Sequence, residues 1–147
     1  MLIPTGTLVM VVDGAKMLLL RNQGDAAAPE LETLAHEVID NPANRDQVSD
    51  APGLSFSSMG SGRSAHDQTD LHQQNEDRFA AKAAAALCKA AEDSEGDLIV
   101  IAPPRTLSIL RRHYDPVVAD KLLAEIDKDL TKHPVDEISR LIASYEP

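Results

Sequence analysis

Two short apolar runs separated by a polar turn open the chain. The runs cover residues 7–12 and 16–20, with Asp13-Gly14 between them. Asp-Gly between two such runs is typical of a β-hairpin, because the tight hairpin turns require positive φ. Residues 31–39 are less regular, since their apolar side chains fall on both faces, and we predict a third strand there.

A long polar stretch follows these strands. Residues 41–69 are rich in Gly, Ser, Asn and Asp, and we predict a long flexible loop there. Loops of this length are usually functional or disordered. From Asp70 to about residue 92 the apolar residues recur at the spacing of one helix face, and the alanines of this stretch favour a helix. We expect that helix to begin near Asp70, with Gln73 completing a capping box.

The last third of the chain alternates between strand and helix patterns. Residues 98–102 form a continuous apolar run, which predicts a central strand covered on both faces. A short helix through about His113, capped by Thr106, is expected next. Residues 116–132 predict a helical turn or two and then a strand near 124–128, and a final helix is predicted over 135–144. The order is that of a single-domain α/β protein over residues 1–147, with helices on both faces of one mixed sheet.

Composition narrows the classes of function. The formal net charge of the 147 residues is -10, which argues against a protein that binds free nucleic acid, because phosphate attraction dominates such binding. No apolar run approaches the length that spans a bilayer, and a lone cysteine, Cys88, fits a reducing compartment. We therefore expect a cytoplasmic protein without a membrane partner. The sequence has no feature that fixes an oligomeric state.

The polar stretch contains a glycine pattern, Gly60-x-Gly62-x-x-Ala65, that is similar to a dinucleotide-binding fingerprint. That fingerprint directly follows a hydrophobic strand and opens a helix, whereas residues 56–59 read Phe-Ser-Ser-Met. No lysine follows the glycines as in a phosphate-binding P-loop, and no serine lies in a nucleophile elbow. The pattern alone therefore predicts neither a nucleotide site nor a hydrolase.

Two groups of charged residues are candidates for ion binding. The first lies at the start of the predicted helix and comprises His66, Asp67, Asp70, His72 and Glu76. Its spacing matches no recognised metal motif, so a solvated helix start is favoured and we expect no metal and no cofactor.

The second charged group follows the predicted central strand. Arg105, Arg111 and Arg112 suit an anion site at the carboxyl end of that strand. They also suit surface cations that form pairs near a helix end, and that interpretation is favoured, with the anion site kept as the alternative.

Five stretches of the chain, taken together, form a recognisable set: VVDGAKMLLL, NPANRDQVSDAPG, EDRFAAKAAAAL, LIVIAPPRTLSILR and AEIDKDLTKHPVDEI. In this order, and over nearly the whole chain, they resemble the bacterial host attachment protein family. That family in turn resembles the middle domain of archaeal and eukaryotic peptide-chain release factors. The resemblance implies a ribonuclease H-like α/β arrangement, as in components of the translational machinery.

In those release factors a Gly-Gly-Gln loop precedes a long helix and enters the peptidyl transferase centre. The equivalent residues here are Gly60, Gly62, Arg63, Ser64 and Ala65. Arg63 stands where the resemblance would place the glutamine, which implies that the usual release chemistry is lost. We therefore expect a non-enzymatic module that binds the ribosome or another protein through these residues.

The alternative is a metal-dependent hydrolase or nuclease on a ribonuclease H-like scaffold. Such an enzyme requires several carboxylates that converge at strand ends. The candidates are Asp13 in the predicted hairpin turn, with Asp127 and Asp129 near the predicted late strand.

Overall fold

The computed structural model describes the backbone of residues 1–38 and 61–146 and the side chains of residues 1–38 and 73–146. Three strands come first, β1 (Leu8–Val12), β2 (Lys16–Asn22) and β3 (Leu31–Val38). Helix α1 (Ser61–Asp93), strand β4 (Leu98–Ala102) and helix α2 (Pro104–His113) follow. The described part ends with α3 (Pro116–Lys121), β5 (Leu122–Asp127) and α4 (Val135–Ser144).

The five strands form one mixed sheet in the order β3-β2-β1-β4-β5. β2 pairs antiparallel with both β1 and β3, whereas β4 pairs parallel with β1 and β5. All five residues of β1 and of β4 are buried, as expected of strands covered on both faces. The predicted α/β class, the hairpin, the third strand and the central position of residues 98–102 are confirmed.

Helices cover both faces of the sheet, as predicted. Alternate side chains of β1 and β4 point to one face, where α1, α2 and α3 pack through Leu87, Leu110 and Val118. The intervening side chains point to the other face, where Ile138 and Ile142 of α4 cover them. The core is therefore built almost entirely from aliphatic side chains, in keeping with the low aromatic content of the chain.

The hairpin turn differs from the type that the sequence predicts. Within the described residues only Gly6 has a positive φ, so Gly14 does not adopt the backbone of a primed turn. The Asp13 carboxylate instead closes the turn by accepting hydrogen bonds from the backbone N–H groups of Ala15 and Lys16, both at 2.7 Å. Gly14 lies against α1, since a Cβ there would lie 2.7 Å from Cγ of Glu76, and a larger residue would require that exposed side chain to move.

The long helix begins earlier than the sequence predicts. α1 starts at Ser61, so residues 61–69 of the predicted 41–69 loop are helical, and Asp70 lies inside the helix rather than at its cap. No proline interrupts the chain between residues 53 and 102, and Gly62 falls in the first turn, where it disrupts few intrahelical bonds. The helix therefore extends nine residues further toward its N-terminus than the apolar periodicity indicates. The remainder of the predicted loop lies outside the described residues.

The later elements match the prediction closely, with one exception. α2 begins at Pro104, and Thr106 is a buried residue of its first turn rather than its cap. Proline is well suited to the first helical position, since its fixed φ is helical and its missing N–H is not needed there. The predicted helical turns, the late strand and the final helix are confirmed as α3, β5 and α4.

Candidate functional site

A polar groove lies between α1 and α2, and we call it the α1–α2 groove. It has a volume of about 250 Å³ and is lined by Gln73 and Asp77 of α1 and by Arg105, Ser108, Ile109 and Arg112 of α2. The four α2 positions recur at the i, i+3, i+4, i+7 spacing of one helix face. Because α2 starts directly after β4, Arg105 enters the groove from the carboxyl end of a parallel strand, where open α/β sheets place ligands.

The groove brings two arginines next to one carboxylate. Arg105 and Arg112 are exposed, and neither forms an ion pair with any side chain of residues 1–38 or 73–146. Oδ1 of Asp77 is buried and has no hydrogen-bond partner there. A buried acceptor without a partner costs about 1–3 kcal/mol. Among the described residues the groove therefore presents two unpaired cationic groups, whereas Oδ1 of Asp77 is covered by the protein itself.

Arg111 occupies a different side of α2 from Arg105. Its Nε donates to both carboxylate oxygens of Glu125 on β5, at 3.1 and 3.3 Å, and its Nη2 lies 3.1 Å from Oε1 of Glu125. The Tyr114 hydroxyl donates to the same carboxylate at 3.0 Å. Burial raises the pKa of Tyr114, and the charge of Glu125 raises it further.

The structure thus separates two arginines that the sequence grouped. Arg111 is engaged by β5, whereas Arg112 shares the α1–α2 groove with Arg105. The predicted pair of Arg105 and Arg111 is therefore not brought together in this groove, and an anion site near Arg105 stays a prediction.

The glycine-rich site residues lie at the N-terminal end of α1. Gly62, Arg63, Ser64 and Ala65 belong to the first turns of the helix, while Gly60 lies outside the described residues. Ala65 precedes Gln73 by eight residues, which corresponds to about 12 Å along the helix. The expected contact residues and the α1–α2 groove are therefore carried by the same helix.

Acidic residues near the ends of β1 and β5 form a small hydrogen-bonded group rather than a metal centre. The Thr131 hydroxyl lies 2.8 Å from Oδ2 of Asp13 and 3.1 Å from Oδ1 of Asp129. Asp127 is exposed at the end of β5. Across residues 1–38 and 73–146, no three His, Cys, Asp or Glu side chains are arranged to hold a metal ion. Four members of the helix-start group, His66, Asp67, Asp70 and His72, have side chains outside the described set.

Sequence reasoning missed the part played by Asp77. The residue was one acid among many on a polar helix, and no motif marks it. Its i+4 spacing from Gln73 was the available signal, since it places both side chains on one face of α1. That this face meets the Arg105 face of α2 depends on how the two helices pack, which the sequence does not reveal.

These features define a single-domain α/β protein with a mixed five-stranded sheet, helices on both faces and a cationic groove beside its longest helix. In the described part of the chain, no helix has the combination of length and apolar character needed to cross a membrane. The model of the bacterial archaeo-eukaryotic release factor family 12 matches residues 6–142, and the chain belongs to that family. No curated protein matches the chain. The release-factor part of the resemblance is thus confirmed, while membership in the host attachment family stays a prediction.

Proposed function

We propose that this protein is a cytoplasmic, ribosome-binding module that has lost peptide-release chemistry. The observation that carries the proposal is the family match over residues 6–142, which relates nearly the whole chain to release factors. The mixed sheet, with an antiparallel hairpin followed by parallel strands, supports the ribonuclease H-like arrangement that the resemblance implies.

The construction of α1 supports a role as a contact element. Its 33 residues span about 50 Å, whereas the five residues of β1 span only about 17 Å. Phe79, Ala83, Leu87 and Ala91 anchor the C-terminal part of the helix in the core. Ser61 precedes Phe79 by 18 residues, or about 27 Å of helix, so residues 62–65 are carried well beyond this anchor.

The sequence of the contact residues supports a non-enzymatic role. The chain contains no Gly-Gly pair, and Arg63 replaces the glutamine of the release-factor loop. Gly62, Arg63, Ser64 and Ala65 are also helical, which differs from a loop that precedes a helix. The alternative, a metal-dependent hydrolase, is favoured by no observation in the described residues.

Co-sedimentation with ribosomes tests the proposal. The full chain is pelleted with purified ribosomes over a salt series and compared with two charge reversals, Arg63→Glu and Arg140→Glu. Arg140 is exposed on α4, on the opposite face of the sheet, so its variant is a matched control for charge. We expect wild type and Arg140→Glu to pellet alike at low salt, and Arg63→Glu to lose about tenfold in affinity, as for a lost charge contact.

Two results would contradict the proposal. One is the failure of wild-type protein to pellet at any salt, together with an unchanged polysome profile when the gene is deleted. The other is Arg63-dependent capture of a non-ribosomal protein without ribosome binding, which would assign the same residues to a protein partner. A peptide-release assay on ribosomes carrying peptidyl-tRNA should show no activity above background.

A further inference from the structure

We propose that the outer edge of β3 binds an extended, basic segment of another polypeptide, which adds a strand to the sheet. This inference goes beyond ribosome association and rests on β3 and its surroundings alone. Neither the family description nor the contact residues at positions 60–65 assign a partner to this edge.

β3 is an edge strand, and one of its two sides has no neighbouring strand in the sheet. It stands at the end of the strand order and pairs only with β2. Apart from that ladder, no backbone group of Leu31–Val38 is hydrogen-bonded to another backbone group in the described part of the chain. Its eight residues make it the longest strand of this sheet and exceed the usual five to six. A row of backbone N–H and C=O groups of this length is a template for a further strand.

The side chains of β3 are not covered by the helices. None of its eight residues is buried and six are exposed, whereas four of the seven residues of β2 are buried. Leu34 is 40% exposed and Val38 is 53% exposed. Burial therefore contributes little to holding β3 in place, and its apolar side chains are available for cross-strand contacts with a new neighbour.

The charges of β3 favour a basic partner. The strand carries Glu32 and Glu37 and contains no lysine or arginine. Glu37 is paired with Lys82 of α1, whereas Glu32 forms no ion pair with a described side chain, although Arg21 lies opposite it in the ladder with β2. The net charge of -10 adds a long-range attraction for a basic segment.

The same features disfavour a second copy of this chain at the edge. Two copies would bring the glutamates of two β3 strands together in molecules that each carry a net charge of -10. The ladder with β2 also shifts register between Leu19 and Leu20, which leaves Leu34 as the extra residue of a β-bulge. Charges and bulges on edge strands oppose the pairing of identical edges. A flexible segment of opposite charge can adapt its register to the bulge, whereas a second rigid edge cannot.

Fluorescence anisotropy titration of the full chain tests this inference. The probe is a labelled nine-residue peptide of alternating valine and lysine, long enough to cover β3. One control peptide replaces each lysine by glutamate. The other keeps the lysines but is methylated at four successive backbone nitrogens, so it retains its charge and cannot complete a ladder. We expect the parent peptide to bind at least about tenfold more tightly than either control.

Two variants locate the binding surface. Glu32→Lys should weaken binding of the parent peptide about tenfold, because it places a like charge against the lysines. Asp120→Lys changes the net charge by the same amount on α3, which leads into β5 at the opposite edge of the sheet, and should weaken binding less than about twofold. The bound peptide should also slow amide hydrogen exchange within Leu31–Val38 and leave the exchange of β5 unchanged. Unchanged urea unfolding of both variants verifies that the fold is intact.

The inference is overturned if the methylated peptide or the glutamate peptide binds as tightly as the parent, or if both variants weaken binding equally. Each of these results would show that no ladder with β3 is formed or that charge alone drives binding. A dimer of the free chain in sedimentation velocity, with slow exchange of the β3 amides, also overturns it and assigns the edge to a second copy. Because the titration contains no ribosomes, its outcome is independent of the proposed ribosome contact.

Discussion

Replacement of Leu87 by alanine should weaken the packing of α1 against the sheet. Leu87 is 0% exposed and lies in the core that joins α1 to the sheet. The substitution deletes three carbon groups, each worth about 0.8 kcal/mol of transfer free energy, which gives roughly 2.4 kcal/mol. A cavity term adds to this because a core between a helix and a sheet collapses only in part. We expect the free energy of unfolding to fall by about 3–4 kcal/mol.

Urea unfolding followed by circular dichroism measures this change. The midpoint should fall at an unchanged m value, and the melting temperature should fall by about 10 °C for a chain of this size. Leu2→Ala is the control, since Leu2 is 68% exposed and its truncation should cost less than about 0.5 kcal/mol. A loss below about 1 kcal/mol for Leu87→Ala would show that α1 is not anchored through this face.

Three further predictions concern stability. Asn22→Ala should cost about 3 kcal/mol in urea unfolding, because Asn22 is fully buried and its amide bonds Ile3, Gly24 and Glu30 at 2.8–2.9 Å; a cost below 1 kcal/mol would contradict this. Gly96→Ala should destabilise more than Ser94→Ala, since its Cβ would lie 2.2 Å from a backbone oxygen; equal melting temperatures would refute this. The raised pKa of Tyr114 favours the protonated phenol in the folded state, so stability should be retained below pH 10 and fall above it. Tyr114→Phe should flatten this decline, and an unchanged pH profile would oppose the assignment.

The strands of the sheet could be predicted from the sequence because the apolar pattern of a strand depends on the burial of that strand's own residues. The continuous apolar run of β4 marked a strand buried on both faces, and Asp13-Gly14 marked a hairpin. The surroundings of Gly14 could not be predicted locally, because the side chain that passes over the turn is that of Glu76, more than 60 residues away.

The candidate site was less predictable because it depends on helix packing. The sequence indicated Arg105 and offered both Arg111 and Arg112 as its partners. Only the contact of Arg111 with Glu125 separates these two. The predicted start of α1 was also too late, because Gly62 and the neighbouring serines are typical of a loop and no apolar periodicity marks this part of the helix.

Site-specific photo-cross-linking tests most directly that the N-terminal end of α1 binds the ribosome. A photoreactive amino acid is placed at Ala65 on α1 or at Arg140 on α4, and the cross-linked partners are identified after ribosomes are pelleted. We predict ribosomal RNA or ribosomal protein cross-links from position 65 and none above background from position 140. Equal cross-linking from both positions, or only non-ribosomal partners at position 65, would contradict a ribosome contact through α1.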